Sequence, residues 1–275
     1  MIQFKSRKEF LPTSFNDLRP LLNKRPCFLF LDFDGTLVGI KDNPKDATLD
    51  APTSKMLEQL SCKLSKRVAI VSARGLSALA AECDPTQFIL AGNYGLEISF
   101  PSGHKFLHPV AAQAEPLMFE LRSEITQLIN DERRLLVDDH QYSFCLHLHR
   151  IPLEEQHTVT SCISTLEQKY ASLHFRKLPT SFEIAPAIVW SKADALAKIT
   201  AELSINTSEF LFMAFGDSPP DEPMFQWVNQ RQGLSFKVGQ RHSTSAVGAL
   251  DNAADVVNFL RSLLLLDEPS NHLYH

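Results

Sequence analysis

Residues 26–40 read PCFLFLDFDGTLVGI, and this stretch decides the fold. Phe28 to Leu31 are apolar without alternation, the pattern of a strand buried on both faces in a parallel sheet covered by helices. The run ends in two carboxylates, Asp32 and Asp34, so both leave the sheet at a strand end. Gly35 permits an abrupt turn there, and ligands of open α/β sheets bind beyond the carboxyl ends of the strands. An Asp-Gly turn after a core strand accounts for Asp34 and Gly35 on their own. It does not account for the second acid. Neighbouring carboxylates repel unless a cation, a proton or a substrate compensates them, which points to divalent-metal binding and to nucleophilic or acid/base work.

Composition sets outer bounds on that reading. The 275 residues suffice for one large domain, or for a core domain carrying a smaller one. With 44% hydrophobic and 21% charged residues, the chain reads as an ordinary globular protein, neither disordered nor fibrous. A net charge of -5 gives no general attraction to nucleic acid or to an anionic membrane, so a phosphate-bearing ligand needs a local basic site. Cys27, Cys62, Cys83, Cys145 and Cys162 are odd in number and lack CxxC spacing, which favours reduced thiols and a cytoplasmic location over a disulfide framework or zinc site. No apolar stretch approaches the ~20 residues of a membrane span, and MIQFKSRKEF lacks the apolar segment of a secretory signal.

Outward from the opening strand, residues 1–25 read as an irregular arm with a short helix around Phe15 to Leu22. Asp50 to Leu64 has helical spacing, and Arg67 to Val71 is a second buried strand ending in Ser72-Ala73-Arg74-Gly75 before a Leu/Ala-rich helix. This is a β-α-β unit with polar groups at its strand tips, nearly always right-handed. Phe88 to Ala91 is a third strand, and Gly92-Asn93-Tyr94-Gly95-Leu96-Glu97 a loop that approaches something closely. The Pro-Ser-Gly turn near residue 103 marks a boundary. Beyond it come a helix at 114–130, strands at 135–137 and 142–149, a helix at 153–171 and a strand pair near 173–185. His147 and His149 share one strand face; with no clear carboxylate beside them they read as lining a polar sheet face rather than as a metal site. The first pattern resumes with a helix from Ser191 to Leu203 and a strand from Phe210 to Ala214, which ends in Gly216-Asp217-Ser218-Pro219-Pro220-Asp221. A strand at Leu234 to Val238, a helix at Ala253 to Leu266 and a polar tail close the chain.

Asp32 with Asp34, Ser72, Lys192, and Asp217 with Asp221 match, in order and type, the four motifs of the haloacid-dehalogenase-like superfamily: DxDGT, a strand-end Ser or Thr, a Lys, and GDxxxD. The finer resemblance, over about residues 26–260, is to trehalose-6-phosphate phosphatases. It rests on LDFDGTL, Ser-Ala-Arg at 72–74, GNYGLE, EIAPAIVWSKADAL and GDSPPDEPMF. It implies an α/β fold, a Rossmann-like three-layer α/β/α core with a parallel sheet at 26–103 and 187–275, and an inserted α+β cap domain at 104–186. Phosphate monoester hydrolysis needs an in-line nucleophile, neutralised phosphoryl oxygens and a proton for the leaving alkoxide. Asp32, nearest the strand, is assigned the attack on phosphorus that gives an aspartyl-phosphate, and Asp34 the acid/base steps. The resemblance implies that Asp32, the backbone carbonyl of Asp34 and Asp217 hold Mg²⁺, with Asp221 behind them or as a further ligand, and that Ser72, Ala73 and Lys192 bind phosphate. Alone, Ser72 reads as a helix N-cap and Lys192 as a solvated first-turn residue; in order and at strand ends, the phosphate reading prevails.

The resemblance also places substrate contacts at Arg74, Asn93, Tyr94, Glu97, Asp138, His140 and Glu183, although Arg74 and Glu97 equally suit an exposed ion pair. The chain departs from the family pattern mostly in the insert. Asp138-Asp139-His140 stands where a Glu-x-Lys is usual, Ala185 replaces a basic residue, Tyr94 a His, and Ala73 and Ala193 glycines. A shorter acid and a His for a Lys change reach and charge. The implied activity is therefore Mg²⁺-dependent hydrolysis of a small-molecule sugar phosphate, trehalose 6-phosphate first. Another glycosyl or polyol phosphate, a non-catalytic sugar-phosphate sensor and phosphoryl transfer to another acceptor stay open, as does the oligomeric state. No nucleic-acid or membrane partner is expected.

Overall fold

A computed structural model of the chain describes residues 3–4, 20–22, 24–178, 180–240 and 243–266. A two-residue strand, β1 (Gln3–Phe4), precedes the decisive stretch, which forms β2 (Cys27–Leu31), buried throughout. The chain then builds α1 (Ala51–Lys63), β3 (Val68–Val71), α2 (Leu76–Glu82), β4 (Ile89–Gly92), β5 (Glu97–Ser99) and β6 (Lys105–Leu107). The insert contributes α3 (Pro109–Asp131), β7 (Leu136–Asp139), β8 (Phe144–His147), α4 (Gln156–Lys169), β9 (Leu173–Lys177) and β10 (Ser181–Pro186). The chain closes with α5 (Lys192–Glu202), β11 (Leu211–Gly216), α6 (Glu222–Gln230), β12 (Leu234–Val238), β13 (Gly248–Leu250) and α7 (Ala253–Leu264).

The larger sheet runs β1-β13-β12-β11-β2-β3-β4-β5-β6. Its strands from β13 to β4 are parallel, and β1, β5 and β6 pair antiparallel at the edges. The chain enters in the middle at β2, builds outward to β4, and returns on the other side of β2 at β11. The strand order therefore reverses between β2 and β11, the place where open α/β sheets bind their ligands. The unbroken apolar run of β2 divides by parity. Leu29 and Leu31 pack with Leu57, Leu60 and Leu260 of α1 and α7, whereas Phe28 and Phe30 pack with Leu196, Phe225 and Val228 of α5 and α6. Two cores on two faces make the three layers.

The insert is a second antiparallel sheet, β7-β8-β10-β9, with a core of its own. Phe144 and Leu146 point into that core with Met118, Leu121 and Ile163, and the intervening Cys145 and His147 lie on the other face, as the alternation of residues 142–149 predicts. The Pro101 to Gly103 turn joins β5 to β6 in a hairpin, and hydrogen bonding keeps Lys105–Leu107 on the larger sheet, ahead of the helix that starts at Pro109. β5, β6 and β13 are too short to leave a periodic signal. Helix α6 is masked by Pro219, Pro220 and Pro223, which read as a turn although proline suits a helix's first turn. The expected helix at Phe15 to Leu22 and the polar tail lie largely outside the described residues. No helix among the described residues is long and apolar enough to cross a membrane.

Gly95 ties the β4–β5 loop to α5. Its φ is +94°, and a Cβ there would stand 2.2 Å from the Cβ of Ala195. Gly95→Ala therefore adds left-handed strain to overpacking and is expected to cost about 2–4 kcal/mol, read from urea unfolding. A midpoint within error of the parent's would show that this contact does not set the loop.

Candidate active site

Asp32 continues the β2 ladder, its N–H donating to Phe215 O at 3.0 Å. Its carboxylate accepts from Thr36 Oγ1 at 3.0 Å and from Lys192 Nζ at 2.6 Å. Lys192 opens α5 behind a capping box of Ser191 and Asp194, and its ammonium is carried inward until the side chain is only 2% exposed. There it also reaches Asp221 Oδ1 at 2.6 Å. Asp221 is fixed in turn by the N–H and hydroxyl of Ser218. Asp217 leaves the neighbouring strand end, and Gly35 (φ +79°) lets it close in, since a Cβ on Gly35 would stand 2.2 Å from Asp217 Oδ2.

Carboxylate oxygens of Asp32, Asp217 and Asp221 lie within 4.8 Å of one another. Two buried lysines face this cluster, Lys192 through direct bonds to Asp32 and Asp221 and Lys237 through its charge beside Asp217. Burial, with repulsion from Asp221 and Asp217, pushes the Asp32 carboxyl up to about 8 against the pull of Lys192. Burial and Asp221 push Asp217 up to about 6. Burial disfavours the Lys192 ammonium, but Asp221 and Asp32 outweigh it and hold its pKa above the usual value. The donor set is all hard oxygen with excess negative charge, which fits a divalent cation.

The remaining predicted residues fall into two groups. Ser72 ends β3 next to β2, its hydroxyl accepting from Arg74 N at 3.2 Å, with Ala73 between them. Arg74 forks both oxygens of Asp34, at 2.7 Å each. Asn93 donates to Glu97 Oε1 at 2.7 Å and to the carbonyl of His140 at 2.9 Å, and accepts from the Ser143 hydroxyl. Glu97 also accepts from Leu76 N at the start of α2 (2.7 Å), and burial raises its pKa. Asn93 and Glu97 thus join core to insert through bonds within the protein.

On the open face of the insert, Asp138 accepts from His147 Nε2 at 2.9 Å. That bond pushes His147 up to about 10; at Asp138 burial is the largest influence and raises the pKa, but the bond together with the charges of His147 and Lys45 holds the carboxyl below its usual range. His140 is kept neutral by burial. Glu183 pairs with Arg176, its register partner across β9 and β10, and the buried Tyr94 hydroxyl lies beside both, its pKa raised chiefly by burial. Thr36, Ser143, His147 and Arg176 are additions to the predicted set. Thr36 was present in the DxDGT motif itself. His147 lies on a polar sheet face, as its spacing with His149 suggests, but the carboxylate that engages it sits on the next strand and is not visible from spacing. Arg176 left no sequence signal, since only strand register brings it to Glu183.

The Trehalose-phosphatase family model matches residues 30–258. The chain is 29% identical to a protein of Sinorhizobium fredii called a probable trehalose-phosphate phosphatase, over 87% of this chain and 88% of that one. Its fold superposes on a solved trehalose-6-phosphate phosphatase related protein with a TM-score of 0.75 at 18% identity, covering 87% of this chain and 97% of the other. It also matches a haloacid dehalogenase-like hydrolase of Bacteroides thetaiotaomicron with a TM-score of 0.59 at 14% identity, covering 86% and 99%. A haloacid-dehalogenase-like core with a cap, carrying all four motifs at one sheet edge and matched from β2 into α7, belongs to the trehalose-phosphatase family.

Proposed function

We propose that the chain is a phosphatase of sugar phosphates, with trehalose 6-phosphate as its substrate, working through an aspartyl-phosphate on Asp32. The observation that carries this reading is the Asp32 carboxylate, held by Thr36 and Lys192 at the switch point with Asp34 two residues on. Asp32, Asp217, Asp221 and the backbone carbonyl of Asp34 would hold Mg²⁺, which when bound supplies positive charge against the phosphoryl oxygens. Ser72, the Ala73 backbone and Lys192 orient the phosphate. An Asp32 oxygen attacks phosphorus as the phosphorus–sugar oxygen bond breaks, and Asp34 gives its proton to the departing alkoxide. Asp34 then takes a proton from water, whose oxygen displaces Asp32 and releases inorganic phosphate. The insert covers the site and excludes bulk water.

The insert face supports an uncharged polyhydroxyl leaving group. Asp138 with His147, and Glu183 with Arg176, each set an acceptor beside a donor and neutralise one another, so vicinal hydroxyls can bond both members of a pair. The same pairing favours a second reading, another glycosyl or polyol phosphate, because Asp138 is already engaged and neutral His140 stands where the family pattern has a Lys. The five cysteines, none joined in a disulfide among the described residues, support the cytoplasm as its compartment.

Asp32→Asn is expected to lower kcat at least about 10³-fold on trehalose 6-phosphate, and full activity in that variant would sink the mechanism. Phosphate release from a panel of sugar phosphates should favour trehalose 6-phosphate over glucose 6-phosphate and stop with chelator; equal rates would exclude disaccharide selectivity.

A second outcome concerns protons. Because Asp32 and Asp217 have folded pKa values above their unfolded ones, the metal-free protein loses stability as pH rises from about 4 towards 8. Mg²⁺ needs both carboxylates ionised, so its thermal upshift should grow between pH 6 and 8.5. An upshift that shrinks over this interval would contradict the proposed ligand set.

A further inference from the structure

Arg74 is held through Nε, Nη2, its ring-facing plane and its backbone. Its Nε and Nη2 take Asp34 Oδ2 and Oδ1 at 2.7 Å each, and Nη2 also donates to the carbonyls of Pro44 (3.0 Å) and Ala47 (2.9 Å). The guanidinium lies over the Phe33 ring, 4.4 Å from its centroid. Its own N–H reaches the Ser72 hydroxyl, and its carbonyl accepts from Asn93 N at 2.8 Å. The Arg74 side chain is only 11% exposed, against 38% for Asp34. Among the described residues no other group bonds the Asp34 carboxylate. Asp34 sits on the tight loop after β2, where little else would fix its rotamer.

We propose that Arg74 is the positioning residue for Asp34, clamping the acid/base carboxylate at the mouth of the site rather than binding substrate. The proposal rests on the reading of Asp34 given above. A guanidinium already committed through Nε and Nη2 cannot turn that edge to a phosphoryl group without releasing Asp34, Pro44 and Ala47 together. The fork fixes two oxygens in one plane, which a lysine's point charge does not do. Proton transfer depends steeply on how well the donor is placed, so the clamp acts on turnover and leaves the ground-state complex largely alone.

The test compares Arg74→Met and Arg74→Lys with the parent, in saturating Mg²⁺, on trehalose 6-phosphate and on p-nitrophenyl phosphate, whose leaving group departs without a proton. Arg74→Met is expected to lower kcat on trehalose 6-phosphate about ten- to hundredfold with KM within about twofold, and Arg74→Lys to recover only part of it. On p-nitrophenyl phosphate the first turnover should survive as a burst of nitrophenol, followed by a slowed steady state, because only the water step still needs Asp34. A raised KM with unchanged kcat on both substrates would overturn the proposal in favour of a phosphate contact. Equal loss of burst and steady state would overturn it in favour of a general disturbance of the loop. A parent chain that turns over no phosphate monoester overturns the reading of Asp34, and the clamp with it.

Discussion

A buried ammonium bonded to two of three clustered carboxylates governs this molecule. Lys192 bonds Asp32 and Asp221, and Asp217 adds a third negative charge within reach. Charges of one sign this close are tolerated in a low-dielectric setting only when surroundings compensate them. The compensation here is partial, and that incompleteness is what fits the cluster to a hard cation. The fold delivers each participant separately: Asp32 from β2, Asp217 from β11, Asp221 from the turn after β11, and Lys192 from the first turn of α5. Every one of these elements must be in register for the charges to meet, so core packing and site electrostatics are one constraint.

That constraint explains why so much of the core was legible. A central parallel strand is buried on both faces and reads as an unbroken apolar run, and a carboxylate ending such a run is conspicuous. β2, β3 and β11 each showed this signature, and their polar tips are the groups that converge. Burial by parity was not legible. The division of Phe28 and Phe30 from Leu29 and Leu31 between two helix layers depends on what each face meets, and both faces meet apolar partners. The short edge strands and α6 also escaped, the first for want of length and the second because three prolines resemble a turn.

The insert was legible as an α+β unit and poorly legible as a surface. Its open face depends on register. Asp138, Cys145, Glu183 and Arg176 stand opposite one another across four strands whose order is not the order of the chain. Sequence marks Asp138 and Glu183 as acids, but it cannot say that His147 and Arg176 will neutralise them. The partner of a strand residue lies a hairpin or a helix away, at a distance that spacing rules do not encode.

The loop from Gly92 to Glu97 shows why the insert and the chemistry cannot be separated. Tyr94 N bonds the carbonyl of Ser72 and Asn93 N that of Arg74, so the loop is laced to the strand end proposed to bind phosphate. Asn93 reaches up to His140 and Ser143 of the insert, and Tyr94 to Glu183 and Arg176. Gly95 rests on Ala195, next but two after Lys192. A family signature that sequence reading assigned to substrate contact is thus also the joint between three parts: the phosphate loop, the lysine helix and the insert. Both Asn93 and Tyr94 hold left-handed backbone angles there, φ 51° and 57°. Non-glycine residues keep such angles only when the surroundings over-determine them. The bonds to core and insert do so together, and movement of the insert must therefore be felt at the carbonyls of Ser72 and Arg74, one residue on either side of the backbone that would hold the phosphate.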